Sequence, residues 1–398
     1  MRIAIVSDYF LDYIGGAQTS MLQQQLAIKQ AGHDVVMVSA ARGRGRRFRV
    51  EADGLLIRPR FTLPGVDLPV ILNNSRTTDA LETYFRELAI DVVHVQTEFG
   101  LAHAAAAAAR RMGIRVIHTV HTFYWASDGG WHAPFAPLLR AALTWFTGSA
   151  IPRLPLTPRP VDNLLRNATL AMALRADAVV SPSAHQAADL EAAGIPGPIA
   201  VVPNPIAVSP RPPVPITATL ATRPSFLWVA RCEGVKRPLV FAEAVIAALK
   251  RTDGGFSVDF VGEGSELATL QRLTGAHPQI RVHGALPHSA VLDLMDAAAA
   301  VVLTSLGFDN QPMTIAEAVS RERGVLYCDP KLGEGLGQAG YLSVTPDAAG
   351  LADSLVALAS DPSLLVALSQ GAARDHALFS AESYVKRILE VYTGPLVE

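Results

Sequence analysis

Short apolar runs alternate with helical patterns along nearly the whole chain. Runs such as Ile3–Val6, Val92–Val95 and Val116–Val120 are rich in β-branched residues, which is typical of strands buried on both faces of a parallel sheet. Helical patterns such as Leu101–Met112 and Val161–Leu174 lie between the strand candidates. Strands separated by helices form βαβ units, so the alternation predicts an α/β fold.

The alternation is interrupted once, in a stretch where seven of the 22 residues from 203 to 224 are proline. Such a stretch is typical of a linker. We therefore predict a first domain over 1–203, a linker over 204–224 and a second domain over 225–376. A C-terminal helix over 377–398 is expected to pack back on the first domain. The fold class is then α/β, with two Rossmann-like, doubly wound parallel-sheet domains facing a cleft, where ligands of such sheets bind.

Composition excludes several classes of protein. Half of the 398 residues are apolar and only 18% are charged, which excludes intrinsic disorder. Two cysteines, Cys232 and Cys328, are too few for a disulfide framework and indicate a reducing compartment. A net charge of −2 argues against a nucleic-acid partner.

The sequence also bears on location. No apolar stretch of about 20 residues is long enough to span a bilayer, and the apolar run that ends at Asp8 is too short for a signal-peptide core. We therefore expect a cytoplasmic protein. Its mean hydropathy of +0.26 is high for a soluble enzyme and raises the question of membrane contact.

Three loops at strand ends carry candidate binding residues. Gly15 and Gly16 follow the first strand and open a helix, where a ligand can approach the backbone and an anion is favoured; the alternative is a plain turn. Arg231 and Lys236 follow the first strand of the second domain. Together they can hold a diphosphate, because the guanidinium binds two oxygens and the ammonium acts as a point charge; the alternative is a solvated basic loop.

The third loop contains Asp309 and leads into a helix predicted to begin near Pro312–Met313, with Glu317 about one turn inside it. The free N–H groups of residues 311–314 should face the cleft. Carboxylates accept sugar hydroxyls and amides hold anionic oxygens. Either acid alone would be unremarkable, but together they predict a site for a polyhydroxylated ligand that carries phosphate.

These motifs in this order resemble the retaining glycosyltransferases of family 4, which have the GT-B fold. The likeness rests on Gly15-Gly16, His121 after a strand, Arg231 with Lys236, and the acid pair Asp309 and Glu317. Further motifs are Ala176–Ser183, Val202–Pro205 and Val261–Gly264. The sequence departs from the family pattern at Asp309, where Glu is usual, at Asn310-Gln311-Pro312 and at His283.

The resemblance implies a role for each matching residue. Catalysis would rest on His121, Arg231, Lys236 and Asp309. The nucleotide-sugar donor would be bound by these side chains except His121, and by Gly16, Gly262, Gly284, Leu286, Asn310, Gln311, Met313, Thr314 and Glu317. The resemblance further implies no metal and no other cofactor, because Arg and Lys neutralise the leaving diphosphate. No residue stands out as a covalent nucleophile, which favours a front-side displacement with retention.

The acceptor is predicted from the first domain. His94–Leu101 and His118–Tyr124 resemble stretches of diacylglycerol glucosyltransferases and of lipid mannosyltransferases. The resemblance implies acceptor contacts from Gly15, Gln18, Gln96, Glu98 and Tyr124.

A membrane surface is the predicted location of that acceptor. The basic run 42–49, with Arg58 and Arg60, suits an anionic bilayer, and the apolar stretches Phe61–Leu72 and Trp131–Phe146 could insert at its interface. A solvated Arg loop and core helices are the alternative interpretation of both features. We therefore expect a peripheral protein on the inner face of the plasma membrane.

Three functions remain open at this point. The first is a hexosyltransferase that uses a UDP- or GDP-linked sugar and a lipid or glycolipid acceptor, with a soluble acceptor as the variant. The second is a nucleotide-sugar 2-epimerase on the same fold. The third is a non-catalytic protein that binds nucleotide sugars.

Overall fold

The computed structural model describes residues 1–12, 15–43, 45–63, 67–125, 134–206, 212–216, 220 and 222–394. Two compact units result, one formed by Met1–Ala207 with Ala381–Glu398 and the other by Val208–Ser380. The predicted linker 204–224 lies partly outside the described residues. Within it, Ile216 is buried in the core of the second unit.

The first unit is built on an eight-stranded sheet in the order β10-β9-β8-β7-β1-β2-β4-β3, in which only β3 runs antiparallel to its neighbour. A separate antiparallel pair, β5 and β6, completes its strands. The strands are β1 Arg2–Phe10, β2 Asp34–Ala40, β3 Phe48–Glu51, β4 Gly54–Ile57, β5 Phe61–Leu63, β6 Leu68–Val70, β7 Val92–Val95, β8 Arg115–Thr119, β9 Ala178–Ser181 and β10 Ala200–Val201.

Among its described residues this unit has seven helices: α1 Gly16–Gln30, α2 Ser75–Glu87, α3 Gly100–Arg111, α4 Ala136–Thr147, α5 Pro160–Ala173, α6 Ala184–Ala192 and the C-terminal helix, here α13, Ala381–Thr393. The central strand β1 is apolar on both faces because helices cover both faces of the sheet. Ile3 and Ile5 lie in one core cluster with residues of α1 and α13, whereas Ala4 and Val6 lie in another with residues of α2 and α3.

The second unit has a six-stranded parallel sheet in the order β13-β12-β11-β14-β15-β16. Its strands are β11 Ser225–Val229, β12 Ser257–Val261, β13 Ile280–Val282, β14 Ala300–Leu303, β15 Gly324–Tyr327 and β16 Gly340–Leu342. Its helices are α7 Pro238–Arg251, α8 Leu267–Thr274, α9 His288–Ala297, α10 Met313–Ser320, α11 Ala348–Ser360 and α12 Pro362–Asp375. The doubly wound parallel sheets expected from the sequence are thus present in both units.

The C-terminal helix α13 packs on the first unit although more than 150 residues of the second unit precede it. The Tyr384 hydroxyl donates to Gln24 Oε1 at 2.9 Å, and His94 Nδ1 lies 2.8 Å from the Tyr392 hydroxyl. Val385 and Ile388 are buried in the same core cluster as β1.

The two apolar stretches predicted to insert into a membrane are divided between core and surface. Leu72, Leu143 and Phe146 are buried, so the prediction is wrong for these residues, which pack inside the first unit. Phe61 and Trp145 are exposed, and residues 64–66 and 131–133 lie outside the described part. No single helix in the described part of the chain is long and apolar enough to cross a membrane. Within the same described residues, one pair of helices bent by 96°, Ala348–Ser360 with Pro362–Phe379, has the length and apolar composition of a span when taken together.

Candidate functional site

The second unit has its strand order reversed between β11 and β14. From this pair the chain proceeds outward in opposite directions, to β12 and β13 on one side and to β15 and β16 on the other. A crevice forms outside the carboxyl ends of two such strands, and ligands of open α/β sheets bind there. Lys236 lies in the loop after β11, and Asp309 in the loop after β14.

Lys236 and Asp309 form an ion pair across this crevice, between Nζ and Oδ1. Both side chains are largely withdrawn from water, with exposures of 14% and 11%. The Lys236 ammonium also lies 5.3 Å from the centre of the Phe308 ring. Asp309 Oδ2 is buried and accepts no hydrogen bond from any described residue. An unused buried acceptor is costly, so a hydrogen-bond donor on a ligand would be favoured at this atom.

The position of Lys236 is set by groups that sequence reasoning missed. The Trp228 indole N–H donates to Thr304 Oγ1 at 2.9 Å, and Thr304 Oγ1 donates in turn to the Lys236 carbonyl at 2.6 Å. Arg237 has a left-handed backbone with φ 58° and donates to the carbonyl of Pro346 at 2.6 Å. The available signal was a polar pair, Thr304 and Ser305, directly after the apolar strand β14.

The loops after β11, β12 and β13 pack backbone against backbone. A Cβ on Gly262 would lie 1.8 Å from the Ala230 carbonyl oxygen, so only glycine fits there. The Gly262 N–H donates to the Gly284 carbonyl at 2.8 Å. Arg231, next to Ala230, is exposed, and its side chain makes no hydrogen bond or ion pair with a described residue. Leu286 is half-buried beyond Gly284.

Helix α10 begins at Met313, as predicted from Pro312. The Thr314 hydroxyl donates to the Val229 carbonyl at 3.4 Å, which ties the start of α10 to the end of β11. Asn310 and Gln311 are half-buried in the loop before the helix. The N–H groups of its first turn have no acceptor within the helix.

Glu317 has a partner that the sequence did not suggest, His288 at the start of α9. His288 Nε2 lies 2.9 Å from Glu317 Oε1, and the side chain of Glu317 is 12% exposed. The hydrogen bond to Glu317 raises the pKa of His288 above its ordinary value. Asp309 and Glu317 are therefore both partnered by a basic side chain, Lys236 in one case and His288 in the other.

In the first unit, His121 lies at the end of a buried polar network. His121 Nε2 lies 2.6 Å from Gln96 Oε1, and the Gln96 amide donates to Gln24 Oε1 at 2.9 Å and contacts His94 Nε2 at 3.1 Å. Gln24 donates to Ser20, whose hydroxyl donates to Asn204 Oδ1 at 2.6 Å. Gln96 is thus enclosed by internal partners, and its placement favours orienting His121 over direct contact with an acceptor.

The network sets the tautomer of His121. Burial lowers its pKa to about 4, so the ring is neutral near pH 7. Because Gln96 Oε1 can only accept, His121 carries its proton on Nε2. No described residue contacts Nδ1 through a hydrogen bond, which leaves this atom as an acceptor for a hydroxyl group.

Two carboxyl groups, those of Asp8 and Glu98, are buried in the same unit. Asp8 Oδ1 accepts from the Leu101 N–H at 2.6 Å, and Asp8 Oδ2 accepts from the Thr97 hydroxyl at 2.7 Å. Burial raises the pKa of Asp8 to about 6. Burial, together with the charge of Asp8, raises the pKa of Glu98 to about 8. Glu98 is therefore mostly protonated at neutral pH and can donate a hydrogen bond.

The remaining residues predicted to contact the acceptor differ in surroundings. Tyr124 is buried, and its hydroxyl donates to Asp189 Oδ2 at 2.6 Å, so the structure commits this group to an internal bond. Gln18 is half-buried near the start of α1. Gly15 has an extended backbone with φ −127°, and a Cβ on Gly16 would meet nothing within 4 Å. The fold itself therefore does not require glycine at position 16, which leaves room for a close ligand.

Family models match both units. The model described as Glycosyltransferase Family 4 matches residues 14–209, and the model described as Glycosyl transferases group 1 matches residues 223–361. The two matches cover the loops after β1, β11 and β14 described above.

Curated relatives match part of the chain. An alpha-monoglucosyldiacylglycerol synthase of Acholeplasma laidlawii is 30% identical over 128 residues, which are 31% of this chain and 30% of the relative. A GDP-mannose-dependent alpha-mannosyltransferase of Corynebacterium glutamicum is 30% identical over 147 residues, which are 36% of this chain and 34% of the relative. The chain thus spans about a third of the length of these relatives.

Solved structures match almost the entire chain at low identity. TarM of Staphylococcus aureus aligns with a TM-score of 0.70 at 10% identity, over 99% of both chains. Anabaena HepE in complex with UDP aligns with a TM-score of 0.69 at 15% identity, over 99% of this chain and 100% of the other. These likenesses show the GT-B fold. With the family models that match both of its units, the chain belongs to glycosyltransferase family 4.

Proposed function

We propose that this protein is a retaining hexosyltransferase that moves a hexose from a nucleotide-diphosphate sugar to a lipid or glycolipid acceptor at a membrane surface. The observation that carries the proposal is the Lys236–Asp309 ion pair at the point where the strand order of the second sheet reverses. It places a cation for a diphosphate next to a carboxylate that has one oxygen free for a sugar hydroxyl.

The leaving diphosphate is stabilised by cationic groups. An ammonium has three donors, so Lys236 can bind phosphate oxygens while it keeps its bond to Asp309. Arg231 is exposed and unengaged, and it supplies a guanidinium fork for the same oxygens. The N–H groups at the start of α10 and the backbone of Gly16 support the donor, and Glu317 accepts the ribose hydroxyls. In this proposal no metal is needed, because these charges act on the leaving group.

The transferred sugar is positioned by acceptor atoms. Asp309 Oδ2 and His121 Nδ1 are both able to accept a hydroxyl hydrogen, the second because the pKa of His121 is lowered by burial. No covalent nucleophile is proposed. The acceptor hydroxyl oxygen bonds to the anomeric carbon on the side on which the carbon–oxygen bond to the diphosphate breaks, and the leaving diphosphate takes the hydroxyl proton. The oxocarbenium-like transition state is stabilised by electrostatic positioning.

The lipid acceptor is proposed on two grounds. The curated relatives include a synthase of monoglucosyldiacylglycerol, whose name specifies a lipid product. The first unit also presents an apolar stripe on α4, formed by Leu138, Ala141, Ala142 and Trp145, all exposed. Their spacing places them on one helix face, which suits a helix lying in a bilayer interface. The proposed location is therefore peripheral, on the cytoplasmic face of the membrane.

We propose that the nucleotide of the donor carries uracil or guanine, and that contacts from backbone atoms select between these two bases. Thermal shifts with UDP, GDP and ADP sugars identify the donor. A ligand whose free concentration is 100 times its Kd stabilises the folded protein by about 2.7 kcal/mol.

The decisive experiment compares Lys236→Ala with Lys250→Ala, which removes an exposed lysine near the end of α7. Transfer of radiolabelled hexose to diacylglycerol, to glucosyldiacylglycerol and to phosphatidylinositol is measured for each protein. We expect Lys236→Ala to lower the rate by about 100-fold or more, as for the loss of one charge-stabilising donor, and Lys250→Ala to leave it unchanged.

Three results would contradict the proposal. Conversion of the nucleotide sugar into an epimer without acceptor would favour the epimerase. Tight binding of the nucleotide sugar with no turnover under any condition would favour a binding protein. Transfer to soluble sugars but to no lipid would exclude the lipid acceptor.

A further inference from the structure

The first unit contains a pocket of about 550 Å³ that the proposed transfer chemistry does not use. It lies where β1, β2 and β4 end, and its lining includes Phe10, Phe61 and four arginines, Arg42, Arg47, Arg58 and Arg60. All of these residues belong to the first unit, whereas Arg231 and Lys236 belong to the second. The volume falls in the range of small-molecule sites.

Three of the four arginines have no compensating charge. Arg47, Arg58 and Arg60 form no ion pair with any described carboxylate. Arg47 Nε is buried and donates to no described residue. Burial and the nearby charges of Arg76, Arg60 and Arg58 lower the pKa of Arg47. The pocket therefore holds a concentrated positive field that an anion would relieve.

Arg42 has a different role. Its guanidinium pairs with Asp12 at 2.9 Å and with Asp67, and it lies 3.9 Å above the centre of the Phe10 ring. It is therefore held as part of the wall. Arg47, Arg58 and Arg60, which have no ion pair with a described carboxylate, are therefore the arginines able to bind a ligand.

The chemistry of the lining defines the ligand. Guanidinium forks match phosphate oxygens in bidentate geometry, whereas Phe10 and Phe61 offer apolar surface. Arg60 also lies 5.8 Å from the centre of the Trp145 ring, so the pocket adjoins the exposed apolar stripe of α4. A ligand with a phosphate and an attached organic group satisfies both features.

We propose that this pocket binds a phosphate group carried by the acceptor, either in a lipid headgroup or in a soluble phosphorylated acceptor. That the phosphate-bearing ligand is the acceptor rests on the proposed function, whereas binding of phosphate to the pocket can be measured without turnover. The pocket then selects among acceptors by charge, separately from the recognition of the donor.

The test uses two double variants of the full chain. Arg58→Gln/Arg60→Gln removes two exposed charges from the pocket, and Arg46→Gln/Arg49→Gln removes two exposed charges from the same region that do not line it. One arm measures binding of sn-glycerol 3-phosphate by calorimetry, with glycerol as the blank. The other measures flotation with phosphatidylglycerol vesicles, with phosphatidylcholine vesicles as the blank. Neither arm contains a donor.

We expect the pocket variant to lose about tenfold or more in affinity, as for the loss of charge-assisted hydrogen bonds, and the matched control to lose less than about twofold. Loss in the calorimetry arm identifies a soluble phosphorylated ligand, and loss in the flotation arm alone identifies a lipid headgroup. Equal losses for the two double variants, or no loss for the pocket variant in either arm, would overturn the proposal. Selective phosphate binding by a protein that transfers no hexose would refute the proposed function and leave the pocket as a phosphate site.

Discussion

At the residue scale, the candidate site depends on charged groups that are kept from water. Lys236 is one of only five lysines in the chain, and it lies against Asp309 with little exposure. A partly buried charge that loses its partner is strongly disfavoured. Each member of this pair therefore holds the other in place across the crevice.

Glu98 gives a prediction about pH. Its pKa is raised from 4.5 to about 8 by burial and by Asp8, so the folded state favours its protonated form. Stability from this group is present below pH 4.5 and is lost as pH rises through about 8. The free energy of unfolding of wild type, relative to Glu98→Gln, should fall by at least about 1.4 kcal/mol, the equivalent of one pKa unit, between pH 5 and 9.

Urea unfolding at several pH values checks this expectation. Glu87→Gln, which removes an exposed carboxyl group from α2, is the matched control and should follow wild type at every pH. Parallel pH profiles for wild type and Glu98→Gln would show that Glu98 ionises normally in the folded protein.

At the element scale, helix α4 divides its residues between two environments. Leu143 and Phe146 face the core of the first unit, whereas Leu138 and Trp145 are 70% and 55% exposed. The exposed face carries no charged residue, and the only charge in the helix, Arg140, donates to the carbonyls of Ile151 and Pro152. An uncharged apolar face beside an arginine pocket suits an anionic bilayer.

The corresponding prediction concerns Leu138→Gln/Trp145→Gln. Burying a large apolar side chain is worth about 1.5–3 kcal/mol, so this double variant should bind anionic vesicles about tenfold or more weakly. Its thermal midpoint should not fall, because both side chains are exposed. Flotation measures the binding.

The control for this variant is Leu22→Gln/Leu26→Gln, which removes two exposed leucines from α1. Equal effects of the two double variants on flotation would argue against α4 as the membrane-facing helix.

At the scale of the whole molecule, the C-terminal helix α13 belongs to the first unit, whose other residues all lie at the N-terminal end of the chain. Its buried residues Tyr384, Val385, Ile388 and Tyr392 complete the core around β1. Tyr392 also satisfies His94, whose pKa is lowered to about 3 by burial and by His121. The first unit therefore acquires its full core only after the second unit has been synthesised.

Deletion of residues 381–398 should destabilise the first unit selectively. Four buried side chains are lost at about 1.5–3 kcal/mol each, which is comparable with the whole stability of a domain. Hydrogen exchange by mass spectrometry should show lost protection in β1 and β7 and unchanged protection in β11 and β14.

A milder substitution tests the same role of the helix in case the deletion variant does not fold. Tyr392→Phe should cost about 1–3 kcal/mol, because it leaves buried His94 without this partner. Uniform loss of protection in both units, or none in the first, would contradict this role of the helix.

The sequence by itself determined the local elements. Apolar runs located β1, β7 and β8, since a strand covered on both faces must be apolar throughout. Pro312 located the start of α10 at Met313, because proline is suited to the beginning of a helix. The family likeness likewise rested on short motifs at strand ends, and the family models agree with it.

Only the tertiary structure decided which side chains meet. Lys236 and Asp309 are 73 residues apart and pair because β11 lies beside β14, an order that no local pattern encodes. His288 with Glu317, Gln96 behind His121, and the arginine pocket arise in the same way, from strand order and helix placement. Burial also divided the two apolar stretches between core and surface, since apolar composition alone does not distinguish a residue that fills a core from one that faces a membrane.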